Sequence, residues 1–506
     1  MASKMYKSLR LIFRRRAFLF LGNRKCLKSS RLFLPGLFCL LLFLTSSRAS
    51  QSTWAAETSK AKRPNVLFIA VDDLRPEMSC YGVPNMVTPN FDRLAKRSVL
   101  FSHAYCNIAV CGASRASIMK GLRPTPTRFT SYKTWAMKDA PDAPSLPLTF
   151  KQHGYYTVSN GKVYHHQRDD LKAWSEPPWR PKTSSIWWAN SKKYSSTNRG
   201  PAYEAADKPD SIYPDYQICE KTLADLRRLS KKHQPFFLAC GFFRPHLPFV
   251  VPKRYWDLYP LDQVKLPDNM FFPRNLPKAF QYTWGELRAY KGIPKKGPVS
   301  KETAKQLIRG YHACVSFIDK QIGRLLDELD RLGLSDNTII VLWGDHGWQL
   351  GEHGFWCKHT NFEVATHVPL FIAAPGVKGG RVCDRLVEYV DIYPTLCDLA
   401  GLPKPKHLQG KSMRPLLEDV HAQHKKVVFT RFGGGDALRT VQYRYMEMRA
   451  RRGLGRLLGV GMFDLQRDPQ ENQNVANNPE YKDVRKRLQA QLRKFLRELN
   501  QTSSKP

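Results

Sequence analysis

Four uninterrupted apolar runs constrain the fold of this chain more than any other feature of its sequence. A half-exposed strand alternates apolar and polar residues, whereas an unbroken apolar run predicts a strand that is buried on both faces. Strands of that kind belong to parallel sheets that helices cover on each side. The runs span residues 65–71, 235–243, 338–343 and 368–376, and the last includes its exit turn. They predict an α/β fold.

Two helical patterns can supply the covering layers. One begins at residue 88 and places Phe91, Leu94 and Val99 on its apolar side. The other is the longest in the chain and keeps apolar residues three and four positions apart from residue 300 to residue 334. Both patterns are typical of helices that pack one face on a core.

Polar residues that can bind ligands or take part in catalysis follow three of the apolar runs directly. The first run ends in Asp72 and Asp73, the second continues into an Arg-Pro-His triplet that ends at His246, and the third delivers Asp345 and His346. In open α/β sheets, ligands bind beyond the carboxyl ends of the strands. Adjacent carboxylates there repel each other unless a cation lies between them, and oxygen ligands suit Ca²⁺ or Mg²⁺. A turn with solvated acids is the alternative for the aspartate pair alone.

A different kind of site is indicated by residues 108–124. An apolar lead-in delivers Cys111, Arg115 follows it, and the sequence predicts a helix that begins at 113–114. A cysteine at a helix N-terminus experiences the positive end of the helix dipole, here beside a permanent guanidinium cation. The segment is therefore suited to an anion or a nucleophile. A buried structural cysteine is the alternative that this segment leaves open.

Charge and cysteine content limit the possible partners. The 506-residue chain has a formal net charge of +38 at pH 7, which attracts sulfated or carboxylated polysaccharide, nucleic acid or an acidic surface. No nucleic-acid-binding module is recognisable, so we expect no nucleic-acid partner. The 11 cysteines form no Cys-x-x-Cys pair, which argues against a zinc module or a disulfide scaffold and predicts mostly buried free thiols.

Residues 1–50 resemble a secretory signal peptide. A basic region precedes an apolar run at 32–44, and Ser47-Arg48-Ala49 fits the small-x-small pattern of a cleavage site. The apolar run is shorter than the roughly 20 residues of a membrane-spanning helix. An uncleaved membrane anchor is the alternative. Either way, the sequence predicts that the export machinery moves the body of the protein to the periplasm, the lysosome or the cell exterior.

The motifs taken together resemble those of type I sulfatases. Cys111-Gly-Ala-Ser-Arg115 resembles the Cys-x-(Pro/Ala)-Ser-Arg signature, and residues 154–165, which end in Lys162-Val-Tyr-His165, resemble the second signature of that family. The Gly-Asp-His-Gly quartet at 344–347, followed by Gly-Glu-His-Gly and Lys358, is shared with the wider alkaline-phosphatase-like superfamily. The sequence around His246 is similar to that of the iduronate-2-sulfatase-like branch.

This resemblance covers nearly all of residues 62–500 and implies a fold. The expected fold is of the alkaline-phosphatase-like type, with a mixed, mostly parallel sheet sandwiched by helices and a small C-terminal antiparallel-sheet subdomain. The corresponding division is a catalytic sulfatase domain at 62–424 and an α+β subdomain at 425–506. Short alternating strands and a basic helix from about residue 479 to residue 499 agree with the second unit.

The resemblance also implies a chemistry. Cys111 would be oxidised to formylglycine by the formylglycine-generating enzyme, and one Ca²⁺ per chain would assist the hydrolysis of a sulfated carbohydrate, such as a glycosaminoglycan. The implied metal ligands are Asp72, Asp73, residue 111, Asp345 and His346. The implied catalytic residues are Cys111, Arg115, Lys162, His165, His246 and Lys358.

Two departures from the family pattern lie where the maturation enzyme would read the chain. Ala113 stands in place of the commoner proline, and Lys120 in place of the usual threonine, so we expect slower conversion of Cys111.

Two other functions stay open at this point. One is a phosphomonoester or phosphodiester hydrolase of the same superfamily, and the other is a non-catalytic, exported polyanion-binding protein.

Overall fold

All four apolar runs form strands of one large sheet. The computed structural model describes residues 63–182, 187–191, 193–195 and 197–503. Its strands are, in chain order, β1 (Asn65–Val71), β2 (Val99–Tyr105), β3 (Tyr156–Gly161), β4 (Tyr203–Ala206), β5 (Phe236–Phe242), β6 (Phe249–Pro252), β7 (Thr338–Gly344), β8 (Gln349–Leu350), β9 (Trp356–Cys357), β10 (His367–Ala373), β11 (Arg381–Cys383), β12 (Val387–Glu388), β13 (Val427–Phe432), β14 (Gly435–Thr440), β15 (Tyr443–Arg449) and β16 (Leu457–Asp464).

Helices connect these strands and cover both faces of the sheet. They are α1 (Pro89–Arg97), α2 (Cys111–Lys120), α3 (Ala136–Asp139), α4 (Leu146–Gln152), α5 (Pro214–Leu229), α6 (Lys253–Trp256), α7 (Gly285–Arg288), α8 (Lys301–Arg331), α9 (Glu363–Thr366), α10 (Ile392–Leu399), α11 (Arg414–Glu418) and α12 (Lys482–Ser503). Among the described residues, none of them combines the length and the apolar character that crossing a bilayer requires.

The large sheet is mixed and mostly parallel, which confirms the predicted fold class. Its strand order is β11-β2-β10-β7-β1-β5-β3, with β12 beside β2. All neighbouring pairs are parallel except those of β10, which is antiparallel to both β2 and β7. The apolar run of β10 therefore indicates that the strand is buried on both faces. It does not indicate whether the strand runs parallel or antiparallel to its neighbours.

Strand β1 shows how the sequence divides the core. Leu67, Ile69 and Val71 point into the cluster that contains the apolar residues of α1, α5 and α8. The alternate residues from Val66 to Ala70 point into the opposite cluster, with α2, α4 and α10. Because successive side chains of a strand face opposite ways, an unbroken apolar run serves both layers at once.

A second sheet of four antiparallel strands, in the order β13-β14-β15-β16, follows the large sheet in the chain. One face packs Phe429, Leu438 and Tyr445 against leucines of α12. The other face contributes Ala437 and Met446 to the core around α8. The predicted C-terminal antiparallel sheet is thus present, and the proposed boundary at residue 425 stays a prediction.

One detail differs from the sequence-based expectation. Helix α1 ends at Arg97, and Val99 does not extend its apolar face but opens β2. The change occurs at Ser98, whose backbone is extended and whose side-chain hydroxyl donates to the carbonyl of Leu94 at 2.6 Å. The cysteines of the described residues are free thiols, as predicted. The signal peptide predicted at 1–50 lies outside the described residues and stays a prediction.

Candidate active site

Strand register brings the polar ends of the apolar runs to one edge of the large sheet. Val71, the last residue of β1, pairs with Gly344 of β7 and with Phe242 of β5. Asp72 and Asp345 therefore leave the sheet side by side. Strand β3 ends level with β5, so the lysine that follows β3 reaches the same edge.

Cys111 reaches this edge through β2. Both β2 and β7 are antiparallel to β10, so β2 ends on the same side as β7. Val110 is extended and Cys111 is the first residue of α2, ahead of the helix start predicted at 113–114. The Ser114 hydroxyl donates to the carbonyl oxygen of Asp345 at 2.6 Å, which holds α2 against the end of β7. The thiol is 4% exposed and lies at the positive end of a helix.

Arg115 ties three segments of the site together. Its Nη2 lies 3.0 Å from Asp72 Oδ1 and its Nε lies 2.9 Å from Asp345 Oδ2. Its Nη1 donates to the carbonyl oxygens of Lys162 and Val163. The side chain is fully buried, so these contacts compensate a charge that would otherwise be costly to bury.

Carboxylates, a thiol and an imidazole converge to form a candidate cation site. Possible ligand atoms of Asp73, Cys111 and His346 all lie within 4.8 Å of one another, and so do those of Asp72, Cys111 and Asp345. His346 Nε2 is buried without a hydrogen-bond partner among the described residues. It lies 3.3 Å from Asp73 Oδ1 and 3.6 Å from Asp345 Oδ1.

The backbone of Asp73 is unusual and directs its side chain into this cluster. Its φ of 58° is in the left-handed region, which costs a non-glycine residue roughly 1–2 kcal/mol. The Tyr311 hydroxyl donates to the carbonyl of Asp73 at 2.8 Å, and the amide of Asp73 donates to Asp345 Oδ1 at 2.9 Å. Such a strained residue, held from both sides, is typical of a functional site.

Two lysines form ion pairs with the adjacent aspartates. Lys162 forms an ion pair with Asp72. Lys358 Nζ lies 3.1 and 3.0 Å from the two carboxylate oxygens of Asp73 and 4.9 Å from the ring centroid of Trp348. The site therefore combines carboxylates that can bind a cation with ammonium groups that can bind an anion.

Two histidines face residue 111. Burial raises the pKa of the Cys111 thiol, but His165 and His246 are among the neighbouring groups that lower it. His246 Nδ1 lies 2.6 Å from the carbonyl oxygen of Leu247, which fixes a proton on that nitrogen and directs Nε2 into the site. His165 Nδ1 is buried without a partner among the described residues. The two imidazoles are placed to move protons to and from a group bound at residue 111.

Glu286 is a site residue that the sequence did not reveal. Its Oε1 lies 3.1 Å from His246 Nε2 and 3.0 Å from Lys358 Nζ. It is carried by α7, a helix of four residues within residues 260–300, whose many prolines and lysines predict a loop. Neither periodicity nor a motif marks it, so the sequence contains no signal that could have found it.

The charges around the site shift several pKa values. Burial opposes ionisation of the Cys111 thiol, yet Lys358 and Lys162 hold its pKa well below its usual range. Burial raises the pKa of the Asp345 carboxyl to about 7, against the opposing effect of His346. Burial would lower the pKa of His246, but Asp73 raises it to about 10. Perturbed groups of both signs in one buried place are typical of a catalytic centre.

All residues of the predicted metal and catalytic sets therefore lie at this one edge of the sheet. The ones placed there by the strand ends are Asp72, Asp73, Lys162, His246, Asp345 and His346. Cys111 and Arg115 come from α2, and His165 and Lys358 from the connections that follow β3 and β9.

Comparisons with known proteins agree with this geometry. A model of the sulfatase family matches residues 64–402, and a model described as N-sulphoglucosamine sulphohydrolase, C-terminal, matches residues 351–498. Iduronate 2-sulfatase of Homo sapiens is 36% identical over 419 residues, which cover 73% of this chain and 75% of that protein.

Solved structures show the same fold. A 2-O GAG sulfatase aligns with a TM-score of 0.67 at 24% identity and covers 87% of this chain and 93% of its own. Phosphonate monoester hydrolase of Agrobacterium radiobacter aligns with a TM-score of 0.72 at 24% identity, over 86% of this chain and 96% of its own. With the family model covering most of the described body, the chain belongs to the sulfatase family, has its alkaline-phosphatase-like fold and is a sulfuric ester hydrolase.

Proposed function

We propose that the protein removes sulfate from a sulfated glycan, with Cys111 matured to formylglycine as the nucleophile and one Ca²⁺ as cofactor. The observation that carries the proposal is the convergence of Cys111, three carboxylates and two lysines at one buried point. The strong positive charge of the chain favours a polyanionic substrate. Similarity to iduronate 2-sulfatase supports a uronate-containing glycan.

The donor set fits a calcium ion. Carboxylate oxygens of Asp72, Asp73 and Asp345 are ligands of the kind that Ca²⁺ prefers, and an oxygen at residue 111 would join them. The buried, unpartnered Nε2 of His346 faces the same point. When bound, the ion would withdraw charge from a sulfate oxygen and so make the sulfur more electrophilic.

The protein side chains have separable roles in this proposal. As formylglycine hydrate, residue 111 would supply one hydroxyl to attack sulfur and a second whose deprotonation releases sulfate. Arg115 and Lys162 hold Asp72 and orient residue 111. His246 donates a proton to the leaving sugar oxygen, Lys358 stabilises the charge that develops there, and His165 accepts the proton of the second hydroxyl.

Mass spectrometry and paired assays test the proposal. In natively produced protein, the peptide that contains Cys111 should be lighter than its unmodified form, as expected for formylglycine. Sulfate monoesters should be hydrolysed faster than phosphate or phosphonate monoesters of the same alcohol. An intact thiol in fully active protein, or a preference for the phosphorus esters, would contradict the proposal.

Glu286→Gln should weaken catalysis without abolishing it. Glutamine keeps the shape of the side chain but removes the charge that contacts His246 and Lys358. Hydrogen bonds to charged groups contribute about 1.5–3 kcal/mol, so we expect kcat/KM for a sulfated sugar to fall about 10- to 100-fold. Glu302→Gln, at an exposed carboxylate in the first turn of α8, is the matched control. Equal kcat/KM in both variants would contradict a role of Glu286 in the site.

A further inference from the structure

The turn between β15 and β16 is both basic and apolar at its surface. We call residues 449–458, with the sequence Arg-Ala-Arg-Arg-Gly-Leu-Gly-Arg-Leu-Leu, the arginine tip; it contains no acidic residue. Arg451, Arg452 and Arg456 are exposed. Leu454 is 70% exposed, and the two leucines that begin β16 are 41% and 42% exposed. Such clustering of exposed arginine and leucine is typical of a binding surface.

The exposed arginines of the tip are not neutralised by the protein. Within the described part of the chain, no ion pair or side-chain hydrogen bond involves Arg451, Arg452 or Arg456. Arg449, at the base of the tip, is different because it pairs with Glu447 at 2.6 Å. Neighbouring guanidinium groups repel one another, so a partner that stabilises all three must be anionic.

The backbone of the tip is ordered and strained. The amides of Gly453 and Gly455 donate to the carbonyl of Ala450 at 3.1 and 2.9 Å. Arg451 and Arg452 have φ values of 50° and 55°, in the left-handed region that favours glycine or asparagine. Glycine would adopt these φ values without strain. Arginine there presents two cationic side chains at the cost of backbone strain.

Contacts connect the tip to the rim of the catalytic site. The amide of Arg449 donates to the carbonyl of Gly434 at 2.9 Å, in the turn between β13 and β14. Phe432, which begins that turn, lies 5.5 Å from the His359 ring, centroid to centroid. His359 directly follows Lys358. A series of contacts therefore joins the base of the tip to the segment that carries Lys358.

We propose that the arginine tip binds sulfate or carboxylate groups on further sugars of the polyanionic glycan whose sulfate ester occupies the catalytic site. The proposal rests on the proposed function, because it extends the same site to a longer chain. Guanidinium groups bind planar and tetrahedral oxyanions through paired hydrogen bonds. The leucines shield these contacts from water on one side. An anionic lipid surface, which would use the leucines as anchors, is the competing occupant.

Heparin binding tests the proposal. The probe is a heparin oligosaccharide, titrated calorimetrically into Cys111→Ala protein so that no ester is consumed. The triple variant Arg451→Gln/Arg452→Gln/Arg456→Gln should bind about 10- to 100-fold more weakly, with a shallower dependence of Kd on salt. The control Lys482→Gln/Lys486→Gln/Arg487→Gln removes the same charge from the exposed face of α12 and should bind nearly as the parent does. Circular dichroism verifies that each variant is folded.

Each of the following results would contradict the inference. An equal loss in both triple variants would show that only net charge matters. Unchanged heparin affinity of the tip variant would exclude the tip as a glycan surface. Loss of cosedimentation with phosphatidylserine vesicles in Leu454→Ser/Leu457→Ser/Leu458→Ser, with heparin binding unaffected by the arginine changes, would assign the tip to lipid. Hydrolysis of 4-nitrophenyl sulfate by unaltered protein tests the proposed function separately.

Discussion

Cys111→Ala is expected to reduce the hydrolysis of sulfate esters by at least about 10⁴-fold, because it removes the nucleophile itself. The remaining residues of the site can still bind and polarise an ester, but they do not replace the nucleophile at the N-terminus of α2. The loss should appear in kcat, measured under saturating 4-nitrophenyl sulfate, while the binding of a sulfated sugar persists.

The fold should survive this change. Cys111 is a small residue at the first position of α2, and α2 stays fixed by Arg115 and by the hydrogen bond from Ser114 to the Asp345 carbonyl. Cys314→Ala is the matched control, since Cys314 is a buried cysteine in α8 that contributes to the core. Cys314→Ala should lower the free energy of unfolding by a similar amount and leave kcat unchanged. Activity above about 1% of the parent in Cys111→Ala would mean that another group attacks sulfur.

Much of this site could be predicted because its chemistry follows buried strands. An apolar run reveals a strand without any knowledge of its neighbours, and polar residues directly after the run must lie at the strand's end. Asp72 and Asp345 could be placed in that way. Parallel pairing of β1 and β7 then brings them together, and no local sequence pattern shows which strands pair.

Strand β2 and the start of α2 were harder to predict for specific reasons. Val99 lies two helical turns beyond Phe91 and so fits the apolar face of α1, while Ser102 and His103 interrupt the apolar run of β2. Helix α2 begins after Val110, which cannot cap it with a side chain. A capping side chain, which is the usual sequence signal of a helix start, is therefore absent just before Cys111.

Glu286 shows the limit of sequence reasoning more clearly. It contacts His246 and Lys358, which are distant from it in the chain, and its own helix is a single turn. Which carboxylate of a long loop-like region reaches the site depends on how the whole region packs. That information is tertiary and leaves no local pattern.

Asp345→Asn is expected to abolish calcium binding and reduce activity by about 10³-fold. The change keeps the shape of the side chain but removes one of the three negative charges that converge near residue 111. It also deprives Arg115 of one of its two anionic partners, at 2.9 Å, so more of the guanidinium charge would act on the proposed cation. Both effects disfavour a divalent ion.

Thermal unfolding with and without a calcium chelator measures this effect independently of activity. A free calcium concentration of 100 times the Kd stabilises the folded state by about 2.7 kcal/mol. Chelation should therefore lower the Tm of the parent protein. The Tm of Asp345→Asn should not respond to chelator. The control is Asp319→Asn, a buried aspartate on α8 that binds the N-terminus of α1 through the amides of Asn90 and Phe91. It should be less stable overall and still respond to chelator as the parent does. An Asp345→Asn protein that retains the chelator response would place the ion elsewhere and would contradict the ligand set.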